Sequence, residues 1–221
     1  MQTVVKIGGS LADDPTNLKR LCLELSLLAK THRIIAVPGG GEFADITRKF
    51  DKTFSLSSTV AHKMAILAMD QYGLLLSDII PDSYVSHSLK EINNSAEGTL
   101  PIFLASTFIF REDPLEHSWD VTSDSIAAYI AGLLQAKKLI LVTDVDGIFS
   151  EDPKKNLNAT FIKELSAKKL LGWNKRTSVD KTLPKILQRK KVNCYVVNGR
   201  YPKRVRLILE NVKTICTHLI V

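Results

Sequence analysis

The amino-acid sequence predicts an α/β fold, a three-layer αβα sandwich with a central, mainly parallel open sheet. Three observations carry that expectation. The β-branched run Thr3-Val4-Val5-Lys6-Ile7 stops at Gly8-Gly9, and the run Arg33-Ile34-Ile35-Ala36-Val37 stops at Pro38-Gly39-Gly40-Gly41. Helix-like sequence follows each run. Two such units within the first fifty residues set parallel strands side by side, with both glycine loops on one sheet edge. A third apolar run, Lys138-Leu139-Ile140-Leu141-Val142, has the length and composition of another central strand.

The first strand is read from side chains that suit a pleated surface packed on both faces. Lys6 interrupts the apolar run, so its ammonium can reach the strand's carboxyl end, where open α/β sheets bind ligands. Gly8 and Gly9 allow a tight turn and, with Lys6 and Ser10, form a candidate cradle for a polyanion such as phosphate. This is not the P-loop, in which lysine follows the glycines; the plain alternative is a turn. Leucines at 18, 21, 25 and 28 then mark one face of a helix from Asn17 to Lys30, with Asp13, Asp14 and Pro15 as its start signal.

Gly39, Gly40 and Gly41 cost more chain entropy than packing alone justifies, and a loop whose amides lie against a substrate accounts for them better. Glu42 and Asp45 open the next helix, either as substrate contacts or as acidic residues at a helix N-terminus. Ser57 to Leu76 is amphipathic and helical; its methionines read as core, and His62 as a structural histidine unless it meets substrate. Residues 77–99 read as an interrupted helix and loops, and Pro101 to Ala105 as a short strand.

Thr122, Ser123 and Asp124 can cap the helix from Ile126 to Leu134. They would equally bring a carboxylate beside the two glycine loops, where Asp124 would hold the Lys6 ammonium and each charge would favour the other. Trp119 reads as a packing anchor. After the Lys138–Val142 strand, the loop Thr143-Asp144-Val145-Asp146-Gly147-Ile148-Phe149, continuing to Asp152-Pro153, lacks the acidic positions of a calcium loop. It fits better as a loop that receives a nucleotide, a plain turn being the alternative.

Ser166 to Trp173 is helical, and a further helix carries Leu183, Ile186 and Leu187 on one face with Pro184 in its first turn. Lys181 at the start of that helix either reaches a transferring phosphoryl group or is a solvated lysine. Tyr195 to Val197 is a strand, Asn198-Gly199 a turn, Pro202 to Glu210 a short helix and Thr217 to Val221 a last strand.

A chain of 221 residues, with 45% hydrophobic and 24% charged residues, has core enough for an ordinary globular domain. No apolar run reaches the roughly 18–20 residues that cross a bilayer, and the N-terminus lacks signal-peptide patterning. Cys22, Cys194 and Cys216 sit among apolar residues at no metal-site spacing, as free thiols in a reducing cytoplasm would. The net charge of +7 is spread out, densest from Lys185 to Lys191 and Arg200 to Arg206, without aromatic interleaving or a nucleic-acid motif. It is better matched to small polyanionic substrates than to nucleic acid or a membrane.

Taken together, Lys6-Ile7-Gly8-Gly9-Ser10, Pro38 to Gly41, Thr122-Ser123-Asp124 and Thr143 to Ile148 resemble the amino acid kinase superfamily, in order and over nearly the full length. That superfamily includes the N-acetylglutamate, UMP, carbamate and isopentenyl phosphate kinases. Pro38 to Ala44, Ser118-Trp119, Thr122 to Ser125, Thr177-Ser178-Val179-Asp180 and Val196 to Arg200 are similar to the branch that phosphorylates aminomethylfuran phosphates in methanofuran biosynthesis.

The resemblance implies a single domain, residues 1–221, with a phosphoacceptor lobe of about 1–134 and a nucleotide lobe of about 135–221. It implies ATP and Mg²⁺ as cofactors, a small phosphate monoester as acceptor, and a homo-oligomer. Among the residues, Lys6, Asp124 and Lys181 would be catalytic. Lys6, Gly8, Gly9, Ser10, Thr143, Asp144, Asp146, Gly147, Phe149 and Asp152 would bind ATP, and Gly39, Gly40, Gly41, Glu42, Asp45, His62 and Ser123 the acceptor. The superfamily's usual Thr-Gly-Gly-Met with a lysine two residues beyond is replaced here by Thr177 to Asp180 followed at once by Lys181, so Arg176 and Lys185 compete with Lys181 as the second cation.

Overall fold

β1 (Gln2–Ile7) has a neighbour on each side, and the register of both neighbours positions the site. The computed structural model describes residues 2–153, 155–173 and 177–221. β1 runs parallel to β2 (Arg33–Pro38) and to β5 (Lys138–Thr143), with Ile7 opposite Pro38 on one side and Val142 on the other. Three strand ends therefore stop in line, and the segments after Ile7, Pro38 and Thr143 leave from a single edge.

A 3₁₀ turn (Gly9–Asp13) and α1 (Pro15–Ala29) follow β1; Asp14 caps α1 through the Asn17 N–H, and Pro15 occupies the first turn. α2 (Gly41–Phe54) begins at the third glycine of the triplet, and α3 (Ser58–Ile79) starts at the Ser57 cap. Residues 77–99 depart from the expected loop. They contain β3 (Ser83–Ser86) and α4 (Leu89–Asn93), and β3 pairs in parallel with β4 (Leu100–Phe103) as the sheet's outer strand. With one buried side chain in four, β3 has no apolar pattern to betray it. Its existence depends on the partner strand.

α5 (Ser106–Glu112) and α6 (Ser123–Leu133) precede β5. The loop after β5 carries a two-stranded hairpin, β6 (Ile148–Phe149) with β7 (Phe161–Ile162), which the sequence reading also missed. Then come β8 (Glu164–Ser166), α7 (Ala167–Leu171), α8 (Leu183–Lys190), β9 (Asn193–Asn198), α9 (Lys203–Leu209) and β10 (Thr217–Ile220).

The main sheet runs β3-β4-β2-β1-β5-β9-β10-β8, parallel except where β10 opposes β9. Helices cover both faces. Val4, Val37 and Leu141 pack with α6, α7 and α8 on one side, whereas Val5, Ile7 and Ala36 pack with α1 and α9 on the other. Because strand side chains alternate, Lys6 falls on the α6 face with Val4.

Candidate active site

Lys6 leaves the sheet among apolar side chains and meets a carboxylate from the facing helix. Its Nζ lies 2.7 Å from Asp124 Oδ1, and both side chains are about nine-tenths buried. Thr122 caps α6 by accepting from the Asp124 N–H, which sets Asp124 in the first turn, over the end of β1. Removed from water, such a pair persists because each charge compensates the other's desolvation.

The two glycine loops touch in front of this pair. A Cβ on Gly9 would overlap the Gly41 backbone, and one on Gly39 would stand 2.6 Å from Gly9 N. Gly41 also holds φ +53°, which L side chains adopt at a cost. Close crossing of two chains therefore explains the glycines as well as access to a ligand does.

It also alters the expectation for two amides. Gly8 N–H donates to Val142 O and Gly39 N–H to Ile7 O, both at 2.8 Å, so these groups lock the loops to the sheet and do not point at an anion. The orphan N–H groups at the start of α2 are the better anion donors on geometric grounds.

A cavity of about 440 Å³ opens between the loops, α2, α3 and the start of α6. It brings together Lys6, Gly8, Gly9, Ser10, Gly40, Gly41, Glu42, Asp45, His62, Ser123 and Thr143 of the expected residues. Asp45 is paired there with Arg48 at 2.8 Å, and Arg48 stacks over Trp119 at 4.7 Å. Trp119 is thus a cavity wall and not only an anchor; its Nε1 donates to Asp51. Ile66 and Met69 add an apolar side.

His62 is 7% exposed, and its Nε2 has no hydrogen-bond partner among the described residues. Burial, with His117 beside it, holds the ring below the usual histidine range.

A larger cavity of about 910 Å³ adjoins the first across Asp45, Arg48, Trp119 and Thr122 and reaches Asp124, Trp173, Val179, Asp180 and Lys181. Several expected residues lie here or outside both cavities. Lys6 is the lysine paired with Asp124, whereas Lys181 lies 3.2 Å from Asp120 and is two-thirds exposed. Lys185 is exposed and lines neither cavity, and Arg176 lies outside the described residues.

Asp146 is engaged within the protein. Arg204 pairs with it and Asn198 donates to it. Phe149 packs edge-on against Phe161 in the β6–β7 hairpin, and Gly147 O accepts from the Ser178 hydroxyl. Asp144 accepts from Thr143, and Asp152 sits at the hairpin turn, where its carbonyl accepts from Lys155 and Asn156. Asp144, Asp146, Gly147, Phe149 and Asp152 line neither cavity.

The residue that sequence reasoning missed is Asp180. It accepts from the backbone and hydroxyl of Thr122, the backbone and hydroxyl of Ser125, and the N–H groups of Thr182 and Leu183. Its own N–H donates to Asp124 Oδ2. Burial and the nearby Asp124 carboxylate push its pKa up, while the donors pull the other way. An aspartate three residues before a helix, with small hydroxyl residues elsewhere in the chain, is too common a pattern to have marked its role as a hub.

The family model for the amino acid kinase family matches residues 1–198. The chain belongs to the amino acid kinase family. It is a kinase.

Among similar proteins, the [5-(aminomethyl)furan-3-yl]methyl phosphate kinase of Methanocaldococcus jannaschii is 40% identical over 98% of this chain and 97% of its own. The uridylate kinase of Thermococcus onnurineus is 30% identical over 90% of this chain and 91% of its own. In fold, the amino acid kinase chain matches the solved uridylate kinase of Archaeoglobus fulgidus with a TM-score of 0.79, at 23% identity, over 99% of this chain and 100% of that one.

Proposed function

We propose that this kinase transfers the γ-phosphoryl group of ATP to a phosphate monoester of the aminomethylfuran type, giving a diphosphate and ADP, in methanofuran-type C1 cofactor biosynthesis. The 40% identity to the Methanocaldococcus jannaschii enzyme across both full lengths supports the acceptor class. The observation that carries the reading is the buried Lys6–Asp124 pair at the mouth of two touching glycine loops.

In this reading the acceptor phosphate occupies the smaller cavity, near the start of α2 and His62. The nucleotide extends from Lys6 into the larger cavity, so the lobes of about 1–134 and about 135–221 of a single domain meet at the reacting phosphates. An acceptor oxygen attacks the γ-phosphorus, the bond to the β–γ bridging oxygen breaks, and ADP leaves with that electron pair. An ionised acceptor needs no base, so positioning and charge neutralisation are the whole task. Lys6 neutralises the oxygens of the transferring group, and Asp124 keeps the ammonium in place. Lys181 or Lys185 would supply a second cation only after movement from its place beside Asp120 or on the surface.

Mg²⁺ bound with ATP neutralises further phosphoryl charge. Asp13 and Glu42 on the cavity wall suit a cation that takes one or two carboxylates and otherwise phosphate and water. The same proposal includes a cytoplasmic homo-oligomer. Light scattering on the purified chain should return a mass above one protomer, and a strictly monomeric mass would remove that part.

The test of function is a panel of acceptors with labelled ATP: aminomethylfuran phosphate, isopentenyl phosphate, UMP and an amino-acid carboxylate. Diphosphate formation highest in kcat/KM with the first supports the proposal. Preference for UMP would move this chain to the reading suggested by its uridylate kinase relatives. ATP binding with no acceptor-dependent ADP release would replace catalysis with a nucleotide-binding role.

A further inference from the structure

Behind His62 stands a second histidine that the chemistry above does not use. The His117 ring stacks on the His62 ring with centroids 4.7 Å apart and planes within 25°. His117 is itself held at both ring nitrogens, with Asp113 Oδ1 2.7 Å from Nε2 and Thr59 Oγ1 2.9 Å from Nδ1. A carboxylate only accepts, so Nε2 carries a proton and, in the neutral ring, Nδ1 accepts from the Thr59 hydroxyl.

Three segments converge on this ring. Thr59 and His62 belong to the first turns of α3, Asp113 closes α5, and His117 lies in the connection to α6. Asp113 closes α5 in the left-handed region at φ 43°, which turns the chain back toward α3.

The arrangement has a consequence at the cavity. His62 lines it, is buried, and leaves Nε2 without a partner among the described residues. Buried polar atoms are nearly always satisfied, so an orphan on a side chain that lines a cavity marks a place for a ligand atom. Rotating the His62 ring would break its overlap with His117, and His117 cannot follow while both its nitrogens are bound. The direction of His62 Nε2 is thus set before any ligand arrives, which lowers the ordering cost of binding.

We propose that His117 is a positioning residue for the acceptor: clamped by Asp113 and Thr59, it fixes the plane of His62 so that Nε2–H is presented to an anionic oxygen of the bound phosphate. The proposal rests on the reading of the smaller cavity as a phosphate-monoester site. Space filling by two rings is the competing account, and the two differ in what a phenylalanine does. His117→Phe keeps the stack and the volume but loses both clamps.

Two measurements separate them. In the first, inorganic phosphate is titrated into the protein while the His62 ring resonances are followed by NMR. The wild type should show a saturable shift, and His117→Phe should need about ten-fold more phosphate at an unchanged melting temperature, the size expected when a charge-assisted hydrogen bond is lost. In the second, KM for the phosphate acceptor should rise by a similar factor in His117→Phe and His117→Ala with KM for ATP unmoved. Asp113→Asn, whose amide oxygen still accepts, should rescue the defect of Asp113→Ala.

No phosphate-induced shift at His62, or equal phosphate affinity in wild type and His117→Phe, overturns the proposal. A His62 shift that behaves as expected in a chain that phosphorylates none of the monoesters would instead overturn the functional reading and leave the positioning role standing.

Discussion

Lys6 and Asp124 are both close to fully buried, and neither has another charged partner recorded within ion-pair distance among the described residues. A lysine in that position acts on whatever negative charge reaches the end of β1, and its value grows as water is excluded. Lys6→Ala should therefore lower kcat by about 10²–10³-fold while the Kd for ATP, measured by calorimetry, changes little. An unchanged kcat with a raised KM would mean that Lys6 only holds the ground state. Burial also sets the cysteines: the Cys22 thiol is pushed up to about 12, which keeps it protonated and inert in the folded chain.

Between elements, the decisive contacts are backbone to backbone and carboxylate to helix end. Gly9 and Gly41 let the loops after β1 and β2 cross, and neither neighbour can yield because both are main chain. Gly9→Ala should cost about 3 kcal/mol in denaturant unfolding, whereas Gly172→Ala, whose nearest neighbour is Lys169 O at 3.5 Å, should stay within about 0.5 kcal/mol.

Asp180 ties the start of α6 to the start of α8 and so holds Asp124 over Lys6. Asp180→Ala leaves several buried donors unpaired and should lose about 3 kcal/mol or more. Ser125→Ala, which removes one donor, should lose about 1 kcal/mol. Equal losses in the two variants would show that the hub is not cooperative.

Across the whole molecule, two histidines make stability depend on pH. Burial holds His62 and His218 below the usual value of 6.5. The unfolded chain then takes up protons that the folded chain refuses, so stability is full above about pH 6.5 and falls as pH drops through that value. A melting-temperature series from pH 8 to pH 5 should decline below 6.5, and less steeply in His62→Asn. An identical profile in the variant would remove His62 from the account. The net charge of +7 should act through association, with salt weakening the capture of polyanionic ligands.

Periodicity and composition alone determined the three layers, the parallel centre of the sheet and the edge at which the glycine loops meet. Val4, Val5 and Ile7, or Leu139 to Val142, have few other environments in which to be stable. The sequence also told that Lys6 and Asp124 could meet, because alternation along β1 and a cap at Thr122 leave each side chain one direction. Only the tertiary structure decided what depends on distant partners.

β3 exists because β4 lies beside it, and Gly8 and Gly39 spend their amides on Val142 and Ile7. Asp146 is claimed by Arg204 and Lys181 by Asp120. Asp180 becomes a hub through residues more than fifty positions away. Local sequence encodes conformational preference and the face a side chain takes. Which groups satisfy one another is set by the packing of segments remote in the chain.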